Sequence, residues 1–344
     1  MEEKTDLLSL DAEELENFIT GLGEPKFRAG QVANWVARGI DIPEMTNLSK
    51  ALREKLAECA YVTQVKTLVH QKSSDGTEKF LFAFPDGQSS ECVLMRYHHG
   101  NSACISTQIG CRMGCAFCAS TRNGLVRSLT PGEMLGEILA ITRESGERVS
   151  SIVLMGTGEP LDNMENVLKF IRLVTSPDGV NIGARHISLS TCGIVPKIDK
   201  LAEKKLQITL SVSLHAPTDE KRSKLMPINN AYNLSELMPA CKRYFEKTGR
   251  RISFEYAMIR DVNDTEADAR ALSTLMQGMH AHVNLIPLNY VKESAFVPST
   301  RHSVDRFCEI LGENGVNVTV RRRLGSDIDA ACGQLRANNL KSGE

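Results

Sequence analysis

From about residue 102 onward, runs that read as strands alternate with stretches that read as helices, and this alternation confines the chain to few folds. The strand candidates are ACISTQ, SIVLMG, HISLSTC, LQITLSVSL, ISFEYAMI, VNLIPLN and VNVTVRR. Helical stretches lie between most of them, around 131–146, 163–175, 195–205, 234–247 and 265–278. Strands alternating with helices imply parallel βαβ units in an α/β fold. Roughly six such units predict a partial (βα)6 barrel rather than a closed eight-fold one. In parallel α/β architectures, sites gather at the C-terminal ends of the strands.

The preceding residues read differently. Residues near 8–60 carry helical spacing: LDAEELENFITGLG stops at a glycine, and FRAGQVANWVARG puts Trp35 and Val36 on its apolar side, with Lys26, Arg28 and Arg38 giving basic character. KFLFAF and ECVLMRY are strand-like and joined by the turn signal Pro85-Asp86-Gly87. The expected organisation is a small helical accessory domain over 1–60, a β-hairpin extension over 61–100 and the barrel with a C-terminal catalytic loop over 101–344. With 344 residues, 42% of them hydrophobic, the chain can build a large core. Formal net charge is −1, so a nucleic-acid partner would have to be met by local basic patches, of which Arg321-Arg322-Arg323 is the densest. Taken alone, such a run reads as a solvated edge. No apolar run reaches membrane-spanning length. The first residues lack a signal-peptide pattern, and ten cysteines point to a reducing compartment, so a cytoplasmic protein is expected.

Directly after the first barrel strand comes Cys111-Arg-Met-Gly-Cys115-Ala-Phe-Cys118. A tetrahedral metal site or a cubane cluster usually takes four protein thiolates. Three on one short loop, with no local fourth, suggest a cluster with one iron left open to chelate a substrate. A zinc knuckle would want a second Cys or His pair nearby, and none follows. One unit later, Gly156-Thr157-Gly158-Glu159-Pro160 ends the strand SIVLM; its glycines allow close backbone approach to a ligand, and Glu159 can accept from a ligand ammonium. Ser190 ends the next strand, Ser213-Leu214-His215 the one after, and Asn289 follows Ile286-Pro287-Leu288. Each alone reads as an ordinary strand-end polar group. Together, on one rim, they fit a bound nucleoside with a ribose and an amino-acid tail. From the residues alone, Glu91 reads as an exposed charge at a strand start, and Cys104 and Cys332 as inert buried thiols. Cys59, Cys92, Cys192, Cys241 and Cys308 read as core or incidental thiols.

The Cys-x3-Cys-x2-Cys spacing, with an aromatic just before the last cysteine, resembles the cluster loop of the radical S-adenosylmethionine (SAM) enzymes. The segments CISTQIGCRMGCAFC, MGTGEPLDNMENV, LSTCG, SVSLHA, PLNY and RRRLGSDIDAACGQL resemble those of the RlmN/Cfr family of RNA adenine methyltransferases, over nearly the whole chain from FRAGQVANWV to Cys332. The resemblance implies a 4Fe–4S cluster on Cys111, Cys115 and Cys118, and SAM contacted at Gly158, Glu159, Ser190, Ser213, Leu214, His215 and Asn289. It implies that Cys332 carries a methyl group, that Cys104 resolves a covalent RNA adduct and that Glu91 is the general base. The implied reaction consumes two SAM molecules to methylate C2 of an adenine in 23S ribosomal RNA and in tRNA. Its electrons would come from a one-electron reductant such as flavodoxin or ferredoxin, and a monomer is expected. MGTGEPLDN and the helical domain point to the C2 branch rather than the C8-methylating relative. The rival from another class is a non-catalytic, zinc-bearing RNA-binding module.

Overall fold

The computed structural model describes residues 4–288, 296–325 and 327–328. The chain opens with β1 (Thr5–Asp6), three helices, α1 (Ala12–Gly21), α2 (Phe27–Val36) and α3 (Lys50–Cys59), and β2 (Ala60–Tyr61), which pairs with β1. A capping box starts α1: Asp11 accepts from the Glu14 N–H while the Glu14 carboxylate accepts from the Asp11 N–H. Leu15, Ile19, Val32, Val36, Leu52 and Leu56 face inward from the three helices. Trp35 is only half-buried; its indole donates to Asn47 and lies under the Arg38 guanidinium.

Four antiparallel strands follow: β3 (Lys66–Lys72), β4 (Glu78–Ala83), β5 (Ser89–Tyr97) and β6 (Gly100–Cys104). The expected hairpin is the middle pair of this run. Then β7 (Gln108–Gly110) and β8 (Leu125–Ser128) form a short ribbon that brackets the cysteine loop.

From there the alternation holds. The elements are α4 (Pro131–Ser145), β9 (Ser151–Leu154), α5 (Met164–Thr175), β10 (Ile187–Thr191), α6 (Val195–Glu203), β11 (Thr209–Ser213), α7 (Asp219–Leu225), α8 (Leu234–Thr248), β12 (Ile252–Met258), α9 (Glu266–Met276), β13 (Ala281–Pro287), α10 (Arg301–Glu313) and β14 (Asn317–Val320). All but the β7–β8 ribbon and the β1–β2 pair join one ten-stranded sheet in the order β14-β13-β12-β11-β10-β9-β6-β5-β4-β3. Pairing is parallel from β6 through β14. The result is the expected α/β partial barrel, with β6 as the strand where the antiparallel extension meets the parallel array.

Strand periodicity explains a lumen more polar than the strands suggest. In β10, Ile187 and Leu189 join the hydrophobic core while Ser188 and Ser190 turn to the lumen. In β11, Leu210 and Val212 face the core, and Thr209, Ser211 and Ser213 face the lumen. The lower lumen is a cavity of about 500 Å³ lined by Ser188, Thr209 and Ser211 with Arg250, Arg251 and His282. The upper lumen, at the C-terminal strand ends, is a second cavity of about 400 Å³.

Candidate functional site

The cysteine loop is built to reach the upper cavity. Gly110 at its base has φ of +76°, and a Cβ there would meet the Gly124 carbonyl at 2.0 Å. Only glycine lets the two arms of the loop close, sealed by the Cys111 N–H donating to Gly124 O at 3.0 Å. The far side is tied down by the Ala116 N–H on Leu225 O (2.9 Å) and by Arg112, whose Nε donates to Asp162 Oδ2 at 2.9 Å and whose Nη2 donates to Asp162 Oδ1. Gln108 Nε2 donates to the same Asp162 Oδ2 at 3.0 Å.

Cys111, Cys115 and Cys118 all line the upper cavity. Burial, with the neighbouring Cys118 adding to it, pushes the Cys111 thiol up to about 11 and the Cys115 thiol up to about 12. Among the described residues no three such side chains are already closed to metal-ligand geometry. What marks the thiols as a set is one shared cavity and mutual repulsion of their ionised forms, which a bound cationic cluster would relieve. Three donors on one loop, facing open space, fit a cluster with one iron left for a ligand.

The glycines after β9, Gly156 and Gly158, line the cavity and also allow a close packing contact. A Cβ on Gly156 would meet Ile105 O at 2.6 Å, and one on Gly158, at φ of +109°, would meet the Gln108 side chain at 2.6 Å. Their close approach is to the β6–β7 segment. Glu159 lines the cavity too, but it is buried: Oε2 accepts from the Cys192 N–H at 2.7 Å and Oε1 from the Leu161 N–H at 3.0 Å. It thus fastens the β9 loop to the end of β10, and burial raises its carboxyl above the ordinary value.

Ser190, Ser213 and His215 face the same cavity. His215 has φ of +54°, a conformation rare for a side chain of this size, held by its N–H on Glu255 O and by Asn263 Nδ2 donating to its carbonyl at 2.7 Å. Its Nδ1 accepts from the Ala257 N–H at 2.9 Å, so the neutral ring carries its proton on Nε2. Burial, with the nearby Arg222 cation, pushes its pKa down to about 3. The Leu214 side chain is fully buried in the core, because strand alternation sends Ser213 and Leu214 to opposite sides. Only its backbone is near the rim. Asn289 and Cys332 lie outside the described residues.

The wall opposite comes from β4, β5 and β6. Lys79 pairs with Val93, and Val93 with Cys104, so these three stand in one row across the lumen face. Glu91 stands two residues from Val93 on β5, and it lines the upper cavity with Cys104. The expected exposed charge at a strand start is therefore incorrect. The strand begins earlier, where Ser89 and Ser90 pair with Ala83 and Phe82, and Glu91 is buried against the Lys79 ammonium, 2.8 Å from its Oε2. Burial raises the Cys104 thiol to about 11, while Arg321 and Lys79 pull the other way.

Two groups that sequence reading did not single out support this wall and rim. Glu137, on α4, is fully buried behind the same strands: it accepts from Ser90 Oγ at 2.5 Å and from the Ser106 N–H at 3.1 Å, and burial pushes its carboxyl up to about 8. Its place in the stripe Met134, Ile138, Ile141 is the signal that could have found it. Arg222, on α7, is fully buried and donates to Cys192 O at 2.7 Å, to Ser213 O and Leu214 O at 3.2 Å and to Asn229 Oδ1 at 2.9 Å, clamping the ends of β10 and β11. Nothing local in the sequence marks it.

After β14 the chain crosses the mouth. Arg321, Arg322, Arg323 and Leu324 line the upper cavity. Beyond them the Gly325 N–H donates to Asp75 Oδ2 at 2.8 Å, the Ser74 N–H donates to Asp327 Oδ2 at 2.9 Å, and Ser73 Oγ donates to Asp327 Oδ1. The segment leading toward Cys332 is thus latched to the β3–β4 turn, at the opposite end of the sheet from β14.

A partial parallel barrel with three cysteines on the loop after its first strand, facing a cavity ringed by strand-end polar groups, defines a radical SAM enzyme. The family model described as radical SAM superfamily matches residues 105–272, and that of the ribosomal RNA large subunit methyltransferase N-terminal domain matches residues 5–62. A probable dual-specificity RNA methyltransferase RlmN from Desulforamulus reducens is 54% identical, covering 97% of this chain and 96% of its own. The one from Clostridium perfringens is 53% identical over 98% of each chain. A crystal structure of a radical SAM methyltransferase from Sphaerobacter thermophilus superposes with a TM-score of 0.92 at 43% identity, covering 96% of this chain and 98% of that one. The chain belongs to the RlmN family of radical SAM RNA methyltransferases.

Proposed function

We propose that this enzyme methylates C2 of a specific adenine in 23S ribosomal RNA, and an adenine of the tRNA anticodon loop, through a methyl group carried on Cys332. The observation that carries the reading is that Glu91, Cys104 and the three loop cysteines open onto one cavity. Cys111, Cys115 and Cys118 would hold the 4Fe–4S cluster. Gly158, Glu159, Ser190, Ser213, His215, Asn289 and the backbone at Leu214 would hold SAM. When bound, these groups supply the methyl carbon and the radical chemistry that an electron-poor ring carbon without a lone pair requires.

The chain's own residues do the rest. Neutral His215 offers an Nε2 proton to an acceptor in the cavity, and the Ser190 and Ser213 hydroxyls can serve ribose or carboxylate oxygens. The Cys332 thiolate accepts a methyl group by displacement. Once that carbon is bonded to the base, Glu91 takes the C2 proton. Cys104, as thiolate, then attacks the Cys332 sulfur: the S–S bond forms, the S–C bond breaks with its electron pair going to carbon, and a proton completes the methyl group of the freed base. Residues 1–60 serve as the RNA-binding accessory domain, 61–100 as the extension that carries Glu91, and 101–344 as the catalytic barrel. The enzyme works as a monomer in the reducing cytoplasm with a flavodoxin or ferredoxin as electron donor.

The test is a denaturing gel of variants incubated with RNA, SAM and reductant. Cys104→Ala should trap a covalent protein–RNA band, because its role falls after bond formation to the base. Cys332→Ala should give none. The reverse pattern exchanges the two roles, and no band with either rejects the covalent route.

A further inference from the structure

The Lys79–Glu91 pair has no evident reason to exist for stability. The Lys79 side chain is 0% exposed and that of Glu91 3%, with Nζ 2.8 Å from Oε2. Removing two charges from water costs more than their attraction commonly returns, and apolar residues of similar size often serve a fold as well or better. Leu81 and Val93, their cross-strand neighbours, are apolar. A buried ion pair in such surroundings calls for a use.

Its position supplies one. The pair sits on the lumen face, where Glu91 lines the upper cavity and Lys79 shares a row with Cys104. Ser106 Oγ, just past the end of β6, donates to the Glu91 carbonyl at 2.8 Å, so Glu91 is fixed at the end of the wall nearest the cysteine loop. Among the described residues, the charged or titratable groups that share this cavity include Cys104 on β6, Arg321 to Arg323 from beyond β14, and Glu159, His215 and Glu255 across the lumen, with Glu137 behind the sheet.

We propose that Lys79 is a positioning residue for the proton-removal step: its ammonium, 2.8 Å from Oε2, fixes the direction of the Glu91 carboxylate toward the adenine. The inference rests on the reading of Glu91 as the base. In the step, the C2–H bond breaks, the proton goes to Glu91 and the electron pair stays with the ring.

The experiment compares Lys79→Met, Lys79→Arg and Glu91→Gln, each incubated anaerobically with RNA, SAM and reductant. Methyl on Cys332 is read by peptide mass, stalled adduct by denaturing gel, and product by nucleoside analysis. Lys79→Met should slow product formation by about tenfold or more, and by no more than the roughly 10²–10⁴-fold a general base contributes. It should still methylate Cys332 and should accumulate the covalent protein–RNA band that Glu91→Gln gives. Lys79→Arg should restore most turnover. If Lys79→Met does not fold, Lys79→Gln carries the same expectations. Product at the wild-type rate overturns the proposal, and so does loss of Cys332 methylation together with product, since that is a merely structural role. Normal turnover by Glu91→Gln would instead remove Glu91 as the base, and the role of Lys79 with it.

Discussion

Replacing Glu137 with glutamine should flatten the pH dependence of stability near neutrality. Burial pushes this carboxyl from 4.5 to about 8. A group whose folded value is raised stabilises the fold while it holds its proton. That contribution is complete below the unfolded value of 4.5 and is lost as pH rises through about 8. Between those values each pH unit removes about 1.4 kcal/mol, so the full loss is on the order of 5 kcal/mol. From about pH 6 to about pH 8 the wild type should lose about 2–3 kcal/mol that the variant keeps. Glutamine suits the site in size: its amide can donate to Ser90 Oγ, whose hydroxyl must then turn to another acceptor, while its oxygen accepts from the Ser106 N–H, so no cavity is created. The assay is urea unfolding of both proteins at the two pH values. Cys92 and Cys104, which face Glu137, are held above 9.0 chiefly by burial and so keep their protons across this range in both proteins. Parallel pH profiles would refute the assignment of a buried, protonated carboxyl at Glu137.

Two further outcomes follow from the rim of the barrel. The wild type purified without oxygen should carry about four irons with sulfide, and Cys115→Ala should lose both the iron and SAM cleavage; a stoichiometric zinc content would contradict this. Replacing Arg321, Arg322 and Arg323 together with alanine should weaken RNA binding and make its salt dependence shallower, whereas unchanged affinity and slope would mean that the run touches no phosphate.

The parallel barrel was legible because strand and helix periods differ and the chain keeps each locally clean. The cysteine loop was legible because its ligands are contiguous. Leu214 could also have been placed, since a strand ending at Ser213 sends its neighbour to the other side. What escaped reading was set by pairing between distant segments. The burial of Glu91 depends on β4 extending the strand that carries it, and its partner Lys79 becomes visible only through cross-strand register. Arg222 acts by reaching three backbone carbonyls that strand ends bring together. The Gly156 and Gly158 positions were read as ligand contacts; their tightest neighbours belong to the β6–β7 segment, a contact that exists only once the sheet is assembled.

The central claim, carbon methylation at adenine C2, is tested most directly by chromatography and mass analysis of nucleosides from 23S ribosomal RNA incubated with the cluster-loaded enzyme, SAM and reductant. The account predicts 2-methyladenosine. Finding only 8-methyladenosine would contradict the C2 assignment while sparing the fold and cluster, and finding no methylated adenosine would contradict the proposed function itself.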